Sequence, residues 1–228
     1  MSSIERLREW LLADTLPVWL EKGYDRANRS FHERLNFDFS PVTEGGKRVL
    51  VQARQIYTYS SSASSIAGAL DAAQSAFEFT EAKYRHPDGG WRHRVTREGA
   101  PLNDSRDLYD QAFVVFACAV LYRATGREDV LAAALETLRY LEAERSHPAG
   151  GFTEIVPGDG SAFEGPRRQN PHMHLFEAIL ALHEATGDDS HLETATRLYE
   201  LTRSKFIVDQ YTARVFHRCA GSGSGRGR

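Results

Sequence analysis

The sequence predicts an all-α fold, an α/α toroid in which inner and outer helices alternate. Three observations predict it. First, His86-Pro87-Asp88-Gly89-Gly90-Trp91 returns 61 residues later as His147-Pro148-Ala149-Gly150-Gly151-Phe152. Ala124-Thr125-Gly126 returns at the same offset as Ala185-Thr186-Gly187, and Leu131 with Leu192 and Ala134 with Ala195 keep it. A period held across separate landmarks marks a structural repeat. Second, Phe113-Val114-Val115-Phe116-Ala117-Cys118-Ala119-Val120-Leu121 is apolar on every side and belongs to a helix buried all round. Third, the next helix, over about 128–143, gathers Val130, Leu131, Ala134, Leu138 and Leu141 on one face, with Glu136, Arg139 and Glu142 elsewhere. Buried and half-exposed helices alternating within one repeat imply two concentric rings.

The elements follow in order. Residues about 3–22 read as a helix, with Ser2 and Glu5 as a capping box and Ile4, Leu7, Trp10, Leu11, Val18 and Trp19 as its apolar stripe. Pro17 is expected to kink it. Residues 31–38 alternate and read as a short strand. Residues 47–60, which include Arg54, read as helical, and residues 67–84 as a second helix. From residue 86 each unit reads as Gly-Gly-aromatic, hairpin, loop, apolar helix, Ala-Thr-Gly and amphipathic helix. A fainter copy begins near Phe31. Asn170 as N-cap and Pro171 as first helical residue are expected to open the last inner helix.

Composition excludes several functions. The 228 residues suffice for a sizeable core. The net charge of −3 and a pI of about 6.3 supply no basic field for nucleic acid or an anionic membrane. No apolar run is long enough to span a membrane, and Met1-Ser2-Ser3-Ile4-Glu5-Arg6 has no signal-peptide character. Cys118 and Cys219 make neither a disulfide framework nor a thiolate metal site, which points to a reducing cytoplasm.

Candidate chemistry lies at the inner-helix mouths. Asn170-Pro171-His172-Met173-His174-Leu175-Phe176-Glu177-Ala178 puts two histidines and a glutamate in two turns ahead of the apolar run Ile179-Leu180-Ala181-Leu182. The repeat offset sets Tyr109 opposite Asn170 and Phe113 opposite His174, so Asp107-Leu108-Tyr109-Asp110-Gln111 opens one inner helix as Asn170–His174 opens the next. Such mouths should converge on one cavity, walled by the Gly-Gly-aromatic hairpins. The plain alternative is that Asn170 caps and that Asp107 and Asp110 answer the helix dipole.

Three stretches carry a resemblance. Arg48-Val49-Leu50-Val51-Gln52-Ala53-Arg54-Gln55-Ile56-Tyr57, Asp107 to Phe113, and Asn170 to Ala178 resemble, in order and spacing, motifs of the N-acylglucosamine 2-epimerase family, over residues about 5–211. That superfamily includes cellobiose 2-epimerases and mannose isomerases. The resemblance implies an (α/α)6 barrel and epimerisation or aldose–ketose isomerisation at C2 of an open-chain sugar, through a cis-enediolate. Imidazole, titrating near neutrality, suits the proton transfer, and an arginine suits the developing oxyanion. By position Arg54 and His174 match catalytic residues. Tyr109, Asn170 and Glu177 match the sugar pocket. Trp91 is either a sugar-stacking face or a structural residue of the repeat. No metal or cofactor is implied, because no histidine–carboxylate set has ligand spacing. The expected partner is a small-molecule sugar, with no nucleic acid and no membrane; a homo-oligomer is left open.

The sequence also departs from the family. Members run to about 400 residues, by resemblance, and carry a Pro-Gly-His-x-x-Glu-Trp-like motif and two acid/base histidines in their second half. None of these is in this sequence. Residues 1–211 therefore read as the N-terminal part of the barrel. Residues 212–228, ending Gly221-Ser222-Gly223-Ser224-Gly225-Arg226-Gly227-Arg228, read as an aberrant disordered tail of a truncated or frame-shifted product. Such a chain is expected to self-associate and to be inactive alone. The other readings are a glycoside hydrolase or lyase on an α/α toroid, with Asp107 and Asp110 as paired carboxylates, and a helical-repeat binding module.

Overall fold

The computed structural model describes residues 2–163, 165–209, 212–213 and 216–217. Helix α1, residues 3–23, opens on the expected capping box: Ser2 Oγ accepts the Glu5 N–H at 3.2 Å, and the Glu5 carboxylate accepts the Ser2 N–H at 2.6 Å. Pro17 does not end it. Two π-helical segments, Trp10–Thr15 and Trp19–Gly23, bracket Leu16–Val18 and take up the distortion. The apolar stripe of α1 divides. Leu16 is buried and Trp19 packs on the core, whereas Ile4 is 80% and Trp10 54% exposed.

Six further helices follow: α2 (Val49–Ser61), α3 (Ala69–Tyr84), α4 (Leu108–Thr125), α5 (Glu128–Glu144), α6 (Gln169–Thr186) and α7 (Ser190–Leu201). Helices α2, α4 and α6 lie side by side, and each packs against the helix that follows it. These are the inner and outer rings. Helix α4 has an inner neighbour on both sides and α5 behind it, which is why it is apolar all round and buries Val114, Val115, Cys118 and Leu121. Burial also pushes the Cys118 thiol well above its usual pKa, so it packs and does not react.

One hydrogen-bonded lock recurs in all three units. The N–H of Phe31 is accepted by Gln52 Oε1 at 2.9 Å, that of Trp91 by Gln111 Oε1 at 2.8 Å, and that of Phe152 by His172 Nε2 at 3.0 Å. Gln52 and Gln111 also donate Nε2–H to the carbonyls of Phe31 and Trp91. The faint first copy is thus a full structural repeat. The expected strand over 31–38 shrinks to Ser30–Phe31, paired with Tyr24–Asp25, and a single bridge from Leu35 to Pro41. Gln52 takes both main-chain groups of Phe31, leaving it none with which to continue a ladder. The second and third locks need glycine at the preceding position, where the first has Ser30: Gly90 and Gly151 hold φ of +72° and +68°, and a Cβ there would lie 2.8 Å from Gln111 Oε1 and 2.7 Å from His172 Nε2.

Short antiparallel pairs join the units. Arg48 pairs with Arg94, Asp107 with Ile155, and Arg168 with Phe216, the last two in a register displaced by one repeat. The first N–H of α2 is accepted by His93 O and that of α4 by Glu154 O, so these two inner helices are each capped by the next unit's loop. Asn170 is not the N-cap of α6. The cap is Arg168, held extended by its strand pair and by Glu154, which accepts its N–H at 2.6 Å. Asn170 falls instead in the first turn. Beyond the backbone of Thr212–Ala213 and Phe216–His217, the expectation of a disordered tail lies outside the described residues. Among the described residues no helix is long and apolar enough to cross a membrane.

Candidate functional site

Three inner helices bring one polar-aromatic cluster together. Arg54, on α2, donates from Nη2 to the Tyr109 hydroxyl at 3.1 Å. Its guanidinium lies 4.7 Å from the ring centroid of Phe113 on α4. His174, on α6, meets Phe113 at 4.8 Å and the edge of Tyr109 at 5.1 Å between ring centroids. Glu177 sits one turn on, with its carboxylate 2.8 Å from His174 Nδ1. That contact orients the imidazole along the helix and leaves Nε2 for a ligand. Asn170 is exposed four residues before His174, on the same helix face.

Arg54, Tyr109, His174 and Glu177 therefore converge as expected, and Phe113 joins them as an unforeseen member. The repeat offset that aligned Phe113 with His174 was its signal. Trp91 does not belong to the cluster. It is 0% exposed, its Nε1–H donates to Thr137 Oγ1 at 2.8 Å, and the Arg85 guanidinium stacks 4.0 Å from its ring. With both faces packed it offers no surface to a sugar, so this expectation is corrected to a core role.

The two aspartates are engaged. Asp107 caps α4, accepting the Tyr109 N–H at 2.8 Å. Burial raises its pKa, and that N–H only partly offsets it. Asp110 is 2% exposed, with its carboxylate 2.7 Å from His93 Nδ1. Burial raises the Asp110 pKa against the opposing effect of His93, while the contact with Asp110 raises that of His93. In the flanking units the corresponding loop residues are Glu33 and Glu154, which bind Arg48 and Arg168. The middle unit differs: His93 stands at the loop position and meets Asp110 on the helix, while Asp107 stands at the position of Arg168.

His172 belongs to the repeat lock, not to the cluster. Its Nδ1 lies 2.9 Å from Arg168 O and its Nε2 accepts from Phe152, which fixes a neutral ring with the proton on Nδ1. Burial lowers its pKa accordingly. Among the described residues no group of three His, Cys, Asp or Glu side chains is arranged to hold a metal ion.

The sequence profile of the family described as N-acylglucosamine 2-epimerase (GlcNAc 2-epimerase) matches residues 30–216. A mannose-6-phosphate isomerase of Rhizobium meliloti (strain 1021) is 32% identical over 218 residues, covering 88% of this chain and 52% of that protein. A cellobiose 2-epimerase of Ruminococcus albus is 26% identical over 218 residues, covering 90% of this chain and 55% of that one. Among solved structures, a sugar epimerase from a ruminal bacterium superposes with a TM-score of 0.88 at 22% identity, over 96% of this chain and 59% of that chain. A cellobiose 2-epimerase from Bacillus thermoamylovorans B4167 gives 0.86 at 22% identity, over 94% and 59%. The fold is that of part of an (α/α)6 barrel, and the chain spans about half the length of the curated relatives it matches.

Proposed function

The chain belongs to the N-acylglucosamine 2-epimerase family, and we propose that its site serves epimerisation or aldose–ketose isomerisation at C2 of an open-chain sugar, with mannose-type sugars as substrates. The observation that carries this is the meeting of Arg54, Tyr109 and His174 from three separate inner helices. Removing the C2 proton builds negative charge on the oxygens at C1 and C2. Arg54, held by Tyr109 against the Phe113 ring, is preorganised to stabilise that charge. His174 presents Nε2 to a sugar oxygen while Glu177 holds its other nitrogen. Asn170 lines the same helix face. The acid/base histidines that the family resemblance leads one to expect lie in motifs that this sequence does not contain.

The hydrolase reading loses its residues, because Asp107 is spent on a helix cap and Asp110 on His93. The test is deuterium uptake at C2 of mannose in heavy water, read by proton NMR, with the chain joined to the C-terminal region of a family relative. Uptake that disappears in Arg54→Gln supports the reading. Release of reducing ends from disaccharides without C2 exchange would overturn it.

A further inference from the structure

A cavity of about 700 Å³ opens beside the His93–Asp110 pair, lined in part by Thr43, His93, Arg94, Arg97 and Asn103. Its lining is joined to the helices of the sugar cluster through His93. His93 O caps α2, which carries Arg54, and Asp110 is the chain neighbour of Tyr109. Its electrostatics are unbalanced toward positive charge. Asp25, buried behind it, is one carboxylate shared by two cations, Lys47 Nζ at 2.9 Å and Arg97 Nε at 2.8 Å. Burial opposes ionisation of Asp25, but the hydrogen bonds from Arg97, Lys47 and Asn28 hold its carboxyl well below the usual range. Arg48, the strand partner of Arg94, is bound by Glu33. His93 is biased toward its protonated form by Asp110.

Arg94 is different. No carboxylate pairs with it among the described residues. Its one hydrogen bond is a 3.5 Å contact from Nη1 to Gly45 O, and its Nε is buried without an acceptor. A guanidinium with unused donors, beside the His93 imidazole, the hydroxyl of Thr43 and the amide of Asn103, is a donor set that fits an anion bearing several oxygens. Exposed Glu98, on the hairpin at the rim, is the acidic residue among those lining the cavity.

We propose that this cavity is a phosphate-binding subsite, in which Arg94 and His93 receive the phosphate monoester of a sugar. The sugar part rests on the function proposed above; the phosphate part does not. The experiment is calorimetric titration of the 228-residue chain at fixed ionic strength with inorganic phosphate, a hexose 6-phosphate and the unphosphorylated hexose. The His93 imidazole is followed in parallel by NMR. Saturable phosphate binding that shifts the His93 signals is expected. It should weaken roughly tenfold to a hundredfold in Arg94→Gln, the size of one lost charge-assisted contact, and recover most of its strength in Arg94→Lys. Tighter binding of the hexose 6-phosphate than of phosphate alone assigns the sugar ester. Equal affinity for the two overturns that assignment. Absence of saturable phosphate binding, or equal binding by Arg94→Gln, overturns the subsite. Because binding and not turnover is read, failure here is separable from failure of the isomerase reading.

Discussion

His172 Nε2 accepts the Phe152 N–H at the place where Gln111 accepts from Trp91 and Gln52 from Phe31. A histidine at the mouth of an inner helix, two residues from His174, is thus a structural member of the repeat. It must stay neutral to accept, and burial lowers its pKa below the usual 6.5. A depressed pKa contributes stability that is complete above 6.5 and is lost as pH falls toward the folded value. His172→Gln restores the residue used in the other two units. It should keep the fold and flatten the acid-side loss of stability, read as urea midpoints between about pH 5 and 7. His172→Leu, which orphans the Phe152 N–H, should cost about 1–3 kcal/mol.

Trp91 supports the fold and does not contact substrate. Trp91→Ala should cost about 3–5 kcal/mol by equilibrium unfolding, the usual figure for a large aromatic removed from a core. Trp91→Phe forfeits the indole bond to Thr137, which still donates to Ala133 O at 2.7 Å, and should cost only about 1 kcal/mol. Sugar affinity of Trp91→Phe should equal that of the parent chain. A large selective loss of affinity would return Trp91 to the site.

The His93–Asp110 pair sets a pH dependence opposite in sign to that of His172. Both pKa values are raised in the fold, His93 by its contact with Asp110 and Asp110 by burial. A raised pKa gives stability that is present below the unfolded value and lost as pH rises through the folded one. The His93 share is complete below 6.5 and fades above it, in a field that also includes Arg94 and Asp107. In Asp110→Asn the His93 titration, followed by NMR, should move to lower pH. An unmoved titration would break the assignment.

Arg54 is the expected charge stabiliser. Arg54→Gln should lower the rate of C2 proton exchange by roughly 10²–10³-fold, as loss of a preorganised oxyanion donor does. His174→Asn should weaken sugar binding more than it changes stability, because His174 is only half-buried.

The outward stripe of α1 should make the chain self-associate. Ile4, Leu7, Trp10 and Leu11 are all exposed on it, a contiguous apolar surface of the kind that soluble monomers avoid. Leu7→Glu combined with Trp10→Glu should raise the monomer fraction in sedimentation velocity. No change would place the contact elsewhere.

Sequence by itself determined the repeat, the alternation of rings and the matching of Tyr109 with Asn170 and of Phe113 with His174 at successive inner-helix mouths, whereas Arg54 was placed beside them only by the family resemblance. Each is written as a period or a spacing, and a period survives in one dimension. It even aligned Phe113 with His174 without revealing that both face one cluster. What only the tertiary structure decided is which polar groups are already spent. Trp91 reads as a sugar platform until Thr137, on α5, and Arg85, just past the end of α3, are seen to hold it. Asn170 reads as a cap until Glu154 is seen to occupy the Arg168 N–H. Asp110 reads as a free carboxylate until His93 arrives from a loop 17 residues away. Hydrogen-bonding capacity is finite, and its partners come from distant parts of the chain. A local motif therefore names the groups that can react, and packing settles which of them remain free to do so.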